Sequence, residues 1–288
     1  CSLYLLKNPL ILHKKKKLDF YSRHISHRGA GEKIENTMEA FTAEEVGTQM
    51  LELDCHLTQD GYVMVSHDKN LKRQTGLDVA ISSLKRKDLP LYKDHLEVTF
   101  NVHYSTGKDR KMALLEDVFK KFPKMPINIE VKENKDELIE KVASLVKKYK
   151  RESITVWATD DSVIMAKCKK QCPSMPYSFT MGRIFFLLVL FYTGLLPFVP
   201  LEESLLQFYL PSVINKYIPE ESILKNRFVV SLIELTMRKS LFDHLVKRGM
   251  QLFVCNEESD MDAAFSVGAT GVMSDYPALL SEYLKNHP

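Results

Sequence analysis

The chain has 288 residues, of which 45% are hydrophobic and 27% charged, and its formal net charge is +3. That length can bury one large core, and so small a net charge gives no reason to expect a nucleic acid as partner. Five scattered cysteines without framework spacing exclude a disulfide-stapled fold and fit a reducing, cytosolic setting. Cys168 and Cys172 stand four apart in a Lys-rich helical stretch with no second pair or His beside them, so they are not expected to hold zinc.

The chain begins Cys1-Ser2-Leu3-Tyr4-Leu5-Leu6 and then meets an unbroken basic run, Lys14 to Lys17. Positive charge comes after the apolar piece instead of preceding it, the reverse of a signal peptide. Residues 1–23 are therefore expected to be the end of an N-terminal membrane anchor and a basic linker that keeps the remaining chain on the cytosolic side.

From residue 24 to the end, apolar strands and amphipathic helices alternate, as expected of parallel βα units. Strands are predicted at 24–28, 50–57, 62–66, 127–132, 153–158, 176–180, 250–254 and 270–274. Thr58-Gln59-Asp60-Gly61 is a turn signal that makes a hairpin of the second and third. Helices are predicted at 35–46, 114–121, 135–150, 162–170, 239–248 and 260–267, with Gly249 and Gly268 placed to end the last two. Helix 135–150 sets Leu138, Val142, Leu145 and Val146 on one stripe opposite lysines, so it should cover a sheet from outside.

Residues 184–201, IFFLLVLFYTGLLPFVPL, carry no charge and reach the lower bound for a transmembrane helix. One crossing would put the strands before and after it on opposite sides of a bilayer, which a single barrel forbids. This stretch is therefore expected to lie in the interface or re-enter, helped by Gly194, Pro197 and Pro200, as part of an apolar insert at about 184–235.

Several predicted strands end in charged groups: His27 and Arg28, Glu52 and Asp54, His67, then Glu130 and Lys132. Unpaired charge at the end of an apolar strand costs several kcal/mol unless an ion or a reaction uses it. Glu52 and Asp54 are two apart, so both carboxylates face one side of a strand, and Glu130 can supply a third oxygen. Three carboxylates around one point repel unless a divalent cation sits between them, and oxygen ligation suits Mg²⁺ or Ca²⁺. His56 continues that face, either as a ligand for a softer metal or as a packed, hydrogen-bonded ring. His27 and His67 are the natural acid–base pair, and Arg28 and Lys132 suit a phosphoryl oxygen that gains charge.

The motifs HRG-x₆-ENT-x₂-AF, LELDCHLTQDG, VSHD, INIEVK and GATGVMSDYP together resemble the glycerophosphodiester phosphodiesterases, over about residues 24–285. The apolar pieces are similar to the membrane-associated mammalian branch that acts as lysophospholipase D. The resemblance implies a TIM (β/α)8 barrel with a small insertion as the catalytic domain over 24–288. It also implies His27 and His67 as the catalytic pair, His67 being the acid, with one divalent cation, Mg²⁺ or Ca²⁺, on Glu52, Asp54 and Glu130. Arg28 and Lys132 would hold phosphate, and Glu35-Asn36 would support the site. One departure is Gln251 to Asn256, which lacks the family's usual Trp.

The implied substrate is a lysophospholipid at a membrane surface: lysophosphatidylcholine, lysophosphatidylethanolamine or an N-acyl relative, cleaved to lysophosphatidic acid. The implied location is the endoplasmic reticulum or perinuclear membrane. Water-soluble glycerophosphodiesters are the alternative substrates. A lipid-binding barrel without turnover is the reading from another class.

Overall fold

The computed structural model describes residues 2–29, 33–43, 47–98, 103–212, 214, 227–255 and 261–287. In chain order the described elements used below are α1 (Ser2–Lys7), β1 (His24–His27), α2 (Met38–Ala43), β2 (Met50–Leu57), β3 (Val63–Val65) and α3 (Lys72–Thr75). After them come β4 (His95–Glu97), β5 (Tyr104–Thr106), α4 (Leu115–Lys121), β6 (Ile127–Val131), α5 (Asp136–Lys148), β7 (Thr155–Ala158) and α6 (Ser162–Gln171). The chain continues with α7 (Met181–Tyr192), β8 (Leu205–Tyr209), α8 (Arg227–Thr236), α9 (Lys239–Lys247), β9 (Gln251–Cys255), α10 (Met261–Ser266), β10 (Gly271–Ser274) and α11 (Pro277–Asn286).

The parallel strands lie in the order β7-β6-β2-β1-β10-β9-β8. Two single-residue parallel bridges, Trp157 with Tyr177 and Ser178 with Leu205, join β7 to β8 and bring the sheet round into a TIM-like barrel. The predicted strand at 176–180 thus shrinks to those bridges, because the chain turns into α7 directly after Thr180. β3 returns antiparallel on β2 across Gly61, as the turn signal predicts.

Three described strands are absent from the predicted set: β4 and β5, which pair with each other outside the barrel sheet, and β8. β8 lies within the stretch expected as an apolar insert, yet it pairs along its whole length with β9. β8 follows Glu202-Glu203-Ser204 and its five residues carry Gln207 among apolar neighbours, a pattern too short to tell a strand from a helical segment.

Outward-facing Leu51, Leu53, Ile127, Ile129 and Val131 pack under Leu138, Val142 and Val146 of α5, all of them buried. Each such aliphatic side chain contributes roughly 1.5–3 kcal/mol. Val142→Asp would put an unpaired charge in this layer and melt the α5 face first. Inside the barrel, Ile25, Met50, Val156, Leu205, Phe253 and Met273 form an apolar floor with Phe20. Phe253 therefore puts an aromatic ring into the barrel from the strand that lacks the Trp; Asn256 lies outside the described residues.

The apolar run at 184–201 forms most of α7, twelve residues long, and then turns at Gly194 with φ +73°. No helix of the described residues is long and apolar enough to cross a membrane. α7 buries Leu187, Leu188 and Leu190 and exposes Phe185, Phe186 and Val189. α1 packs on the turn after it: Ser2 Oγ donates to the Gly194 carbonyl, and the His13 ring bonds to the Pro197 carbonyl at 2.8 Å. The basic run crosses the end of α9, where the Lys16 amide donates to the Arg248 carbonyl at 2.8 Å. A Cβ on Gly249 would lie 2.3 Å from the Lys16 carbonyl oxygen, and its φ is +87°, so glycine alone fits there.

Candidate metal centre and acid–base pair

β2 is eight residues long and buried throughout, and its period of two aims Glu52 and Asp54 at the same interior. The register sets Asp54 beside Glu130 on β6 and His27 beside Glu52. One oxygen each from Glu52, Asp54 and Glu130 lies within 4.8 Å of the others, the span of a hard cation's ligand shell. Neither Asp54 oxygen accepts a hydrogen bond among the described residues. Its charge is met instead by Lys132 Nζ at 3.2 Å and Arg28 Nε at 3.6 Å. Lys132 also reaches Glu130 at 3.0 Å. Burial and then the Asp54 charge push Glu52 above the usual carboxylate range. Asp54, despite its burial, is held low by Lys132, His67 and Arg28. Burial raises Glu130 as well. Two buried carboxylates and the half-buried Glu130, with no hydrogen bond to Asp54 among the described residues, make a donor set that fits a divalent cation.

Both histidines are held by carboxylates that sequence patterns alone gave no role. His27 Nδ1 bonds to Asp275 at 2.8 Å, leaving Nε2 on the side of Glu52, 3.7 Å away. Burial alone would lower His27, but Asp275 outweighs it and the ring holds its proton more tightly than a free imidazole. His67 Nδ1 bonds to Asp68 at 2.6 Å. Burial and the nearby Arg28 lower His67. The two rings are thus shifted in opposite directions, His27 upward and His67 downward.

The supporting pair has a visible purpose. Glu35 accepts from Arg73 Nη2 at 2.6 Å and Gln74 Nε2 at 3.0 Å, and it faces Arg28 at 3.7 Å. Arg73 Nε continues to Asp68 at 2.7 Å. One chain of charge thus runs from Arg28 through Glu35, Arg73 and Asp68 to the His67 ring. Arg28 and Asn36 both adopt left-handed φ, +56° and +59°, and the Asn36 amide donates to the Arg28 carbonyl at 2.6 Å. Strain of that kind, about 1–3 kcal/mol per residue, persists where neighbours fix the backbone. Gly29 between them has φ +60°, and a Cβ there would come within 2.8 Å of the Phe41 ring.

His56 is hydrogen-bonded, not grouped with the three carboxylates. Its Nδ1 meets Glu133 at 2.7 Å and its Nε2 the His67 carbonyl at 3.1 Å, which ties the β6 end to the His67 loop. Cys168 and Cys172 are buried in the outer core as free thiols.

Asp275, Asp68 and Arg73 are the residues that sequence reasoning missed. The signals were present: a carboxylate directly after His67, just past the third strand, and another directly after the last strand. Spacing alone does not say which of two neighbouring acids turns toward a ring and which toward an ion.

His27, Arg28, Glu52, His67, Glu130 and Lys132 share one cavity of about 300 Å³, whose opposite wall is apolar. Polar groups converge there as they do in ligand sites at the C-terminal mouth of such barrels.

Comparison with known proteins agrees with this geometry. The chain is 50% identical over 292 residues to the Mus musculus protein named lysophospholipase D GDPD1, covering 99% of this chain and 93% of that one. It is 48% identical to the Homo sapiens protein named lysophospholipase D GDPD3, covering 99% and 92%. Among solved structures it resembles a putative glycerophosphoryl diester phosphodiesterase from Silicibacter pomeroyi, with TM-score 0.64, 17% identity and 97% of each chain covered. It also resembles an Oleispira antarctica phosphodiesterase solved with the product sn-glycerol-3-phosphate, with TM-score 0.63, 17% identity, and 92% of this chain and 97% of that one covered. The sequence model of the glycerophosphoryl diester phosphodiesterase family matches residues 27–279, and the chain belongs to that family.

Proposed function

We propose that this protein is a lysophospholipase D: it hydrolyses the phosphodiester of a lysophospholipid to lysophosphatidic acid and the free head-group alcohol. The observation that carries the reading is the cluster of Glu52, Asp54 and Glu130 oxygens within 4.8 Å, flanked by two histidines that are each oriented by an aspartate. The substrate class rests on relatives at 48–50% identity that carry that name.

Glu52, Asp54 and Glu130 would hold one divalent cation, Mg²⁺ or Ca²⁺. When bound, it supplies a Lewis-acid contact to a non-bridging phosphoryl oxygen. Arg28 and Lys132 sit beside the same carboxylates and would take up the negative charge that grows on the phosphoryl group. One imidazole accepts the proton of the attacking oxygen while the other protonates the departing head-group oxygen. Asp275 and Asp68 fix the Nδ1–H of each ring, so that Nε2 is the working atom of both. Glu35 and Asn36 keep the Arg28 turn in place.

The membrane is proposed as the place where substrate is met. Leu3, Tyr4, Leu10, Ile11 and Leu12 are exposed beside the α7 turn, where Leu195 and Phe198 are exposed too, and four lysines come next in the chain. Apolar side chains next to a basic run suit an anionic lipid surface. Purified protein should release choline from lysophosphatidylcholine faster than from glycerophosphocholine at equal concentration. Equal or opposite rates would move the assignment to the water-soluble diesters.

A further inference from the structure

The cavity that holds the acid–base pair does not end at polar groups. Its other wall is built by Met181, Ile184, Phe185 and Leu188 of α7, with Phe208 of β8 and Ile233 of α8. Positions 181, 184, 185 and 188 follow the i, i+3, i+4, i+7 pattern, so a single stripe of α7 is turned toward the chemistry. Exposure along this stripe is graded: Phe185 is 51% exposed and Leu188 4%. Leu188 packs with Leu187 and Leu190 in the outer core and Ile184 lies at its edge, so the stripe borders core and cavity at once, while Met181 and Phe185 stand outside that core cluster. Gln207 lines the same cavity, and its buried Nε2 has no hydrogen-bond acceptor among the described residues.

A phosphodiester cleft that served only a polar head group would gain nothing from four apolar side chains on one stripe. We infer that the α7 stripe, with Phe208 and Ile233, is the seat of the substrate's acyl chain, and that Gln207 Nε2 donates to an oxygen of the glycerol backbone. The occupant is fixed by continuity, since an apolar tail attached to a phosphate held at His27, Glu52 and His67 has this wall within the same cavity. The inference rests on the lysophospholipid reading and adds which residues read the tail. Each methylene that leaves water for such a wall is worth about fourfold in affinity. Recognition would then occur in solution, before any membrane contributes.

The test uses hexanoyl and decanoyl lysophosphatidylcholine as monomers, below the concentration at which either forms micelles. The wild type should cleave the decanoyl substrate with at least tenfold higher kcat/KM. Ile184→Trp, which fills the stripe, and Phe185→Asp, which charges its exposed end and leaves the core untouched, should each bring that ratio close to one. Val163→Trp, on the outer face of α6, should leave it unchanged. A wild type that cleaves both monomers equally, or ratios that survive both α7 variants, would overturn the acyl seat while leaving lysophospholipase activity intact. Cleavage of glycerophosphocholine with none of either lysophospholipid would instead remove the reading on which the seat rests.

Discussion

Asp275→Asn separates orientation from charge at the centre. In the native protein the His27 Nδ1–H donates to Asp275 at 2.8 Å, with both side chains less than a tenth exposed. A buried hydrogen bond to a charged group is worth about 1.5–3 kcal/mol, which corresponds to a loss of roughly 10- to 150-fold. The substituted amide adds a second effect, because its N–H end can face Nδ1 and drive the proton to Nε2, the atom that must work. That tautomer error brings the expected loss in kcat/KM to about 10²–10⁴-fold. The carboxylate is also what raises His27, so its removal should move the limb of the pH–rate profile that reports His27 to lower pH. The assay is choline release from lysophosphatidylcholine across pH 5–9, with circular dichroism to establish that the barrel is folded. Activity within twofold of wild type and an unmoved profile would refute the assignment of Asp275.

Three further outcomes are expected. His244 is fully buried, bonds the Leu6 carbonyl, and is lowered by burial to about 4 from 6.5. Between those values the unfolded chain takes up the proton more readily, so stability is complete above 6.5 and falls by up to about 3 kcal/mol as pH drops toward 4. Denaturant midpoints at pH 7 and pH 5 should show this slope in the wild type and a flatter one in His244→Gln. Replacing Leu10, Ile11 and Leu12 together by Ser should weaken sedimentation with anionic vesicles at least tenfold, since three exposed apolar side chains are lost; unchanged binding would place the lipid contact elsewhere. Hydrolysis in ¹⁸O-water should place label in the lysophosphatidic acid; an unlabelled cyclic phosphate as the first product would show attack by the substrate's own glycerol hydroxyl.

Much of the barrel is legible in the sequence because each parallel strand is short, apolar and followed by an amphipathic helix. β2, β6 and α5 lie within one or two residues of their predicted limits. What fails is the region where periodicity is lost. α7 ends at Thr193-Gly194 and β8 starts after Glu202-Glu203-Ser204, but apolar runs this short do not tell strand from helix by period, and the membrane-like composition of α7 comes from an apolar stripe on the cavity as well as one on the core. The carboxylates and histidines of the centre were visible as charged ends on apolar strands. The partners that orient them were not, because Asp275 and Asp68 act through rotamers, which no spacing rule fixes. Lys132, expected on phosphate, pairs with Asp54 and Glu130, and shares Asp54 with Arg28.

A titration of Mg²⁺ or Ca²⁺ into ion-stripped protein, followed by thermal melting and by choline release, reaches the carboxylate cluster most directly. The wild type should melt higher as ion is added and recover activity over the same range, while Glu52→Gln and Asp54→Asn should do neither. Full activity in the stripped wild type, or an undiminished response to ion in both variants, would contradict a cation held by Glu52, Asp54 and Glu130.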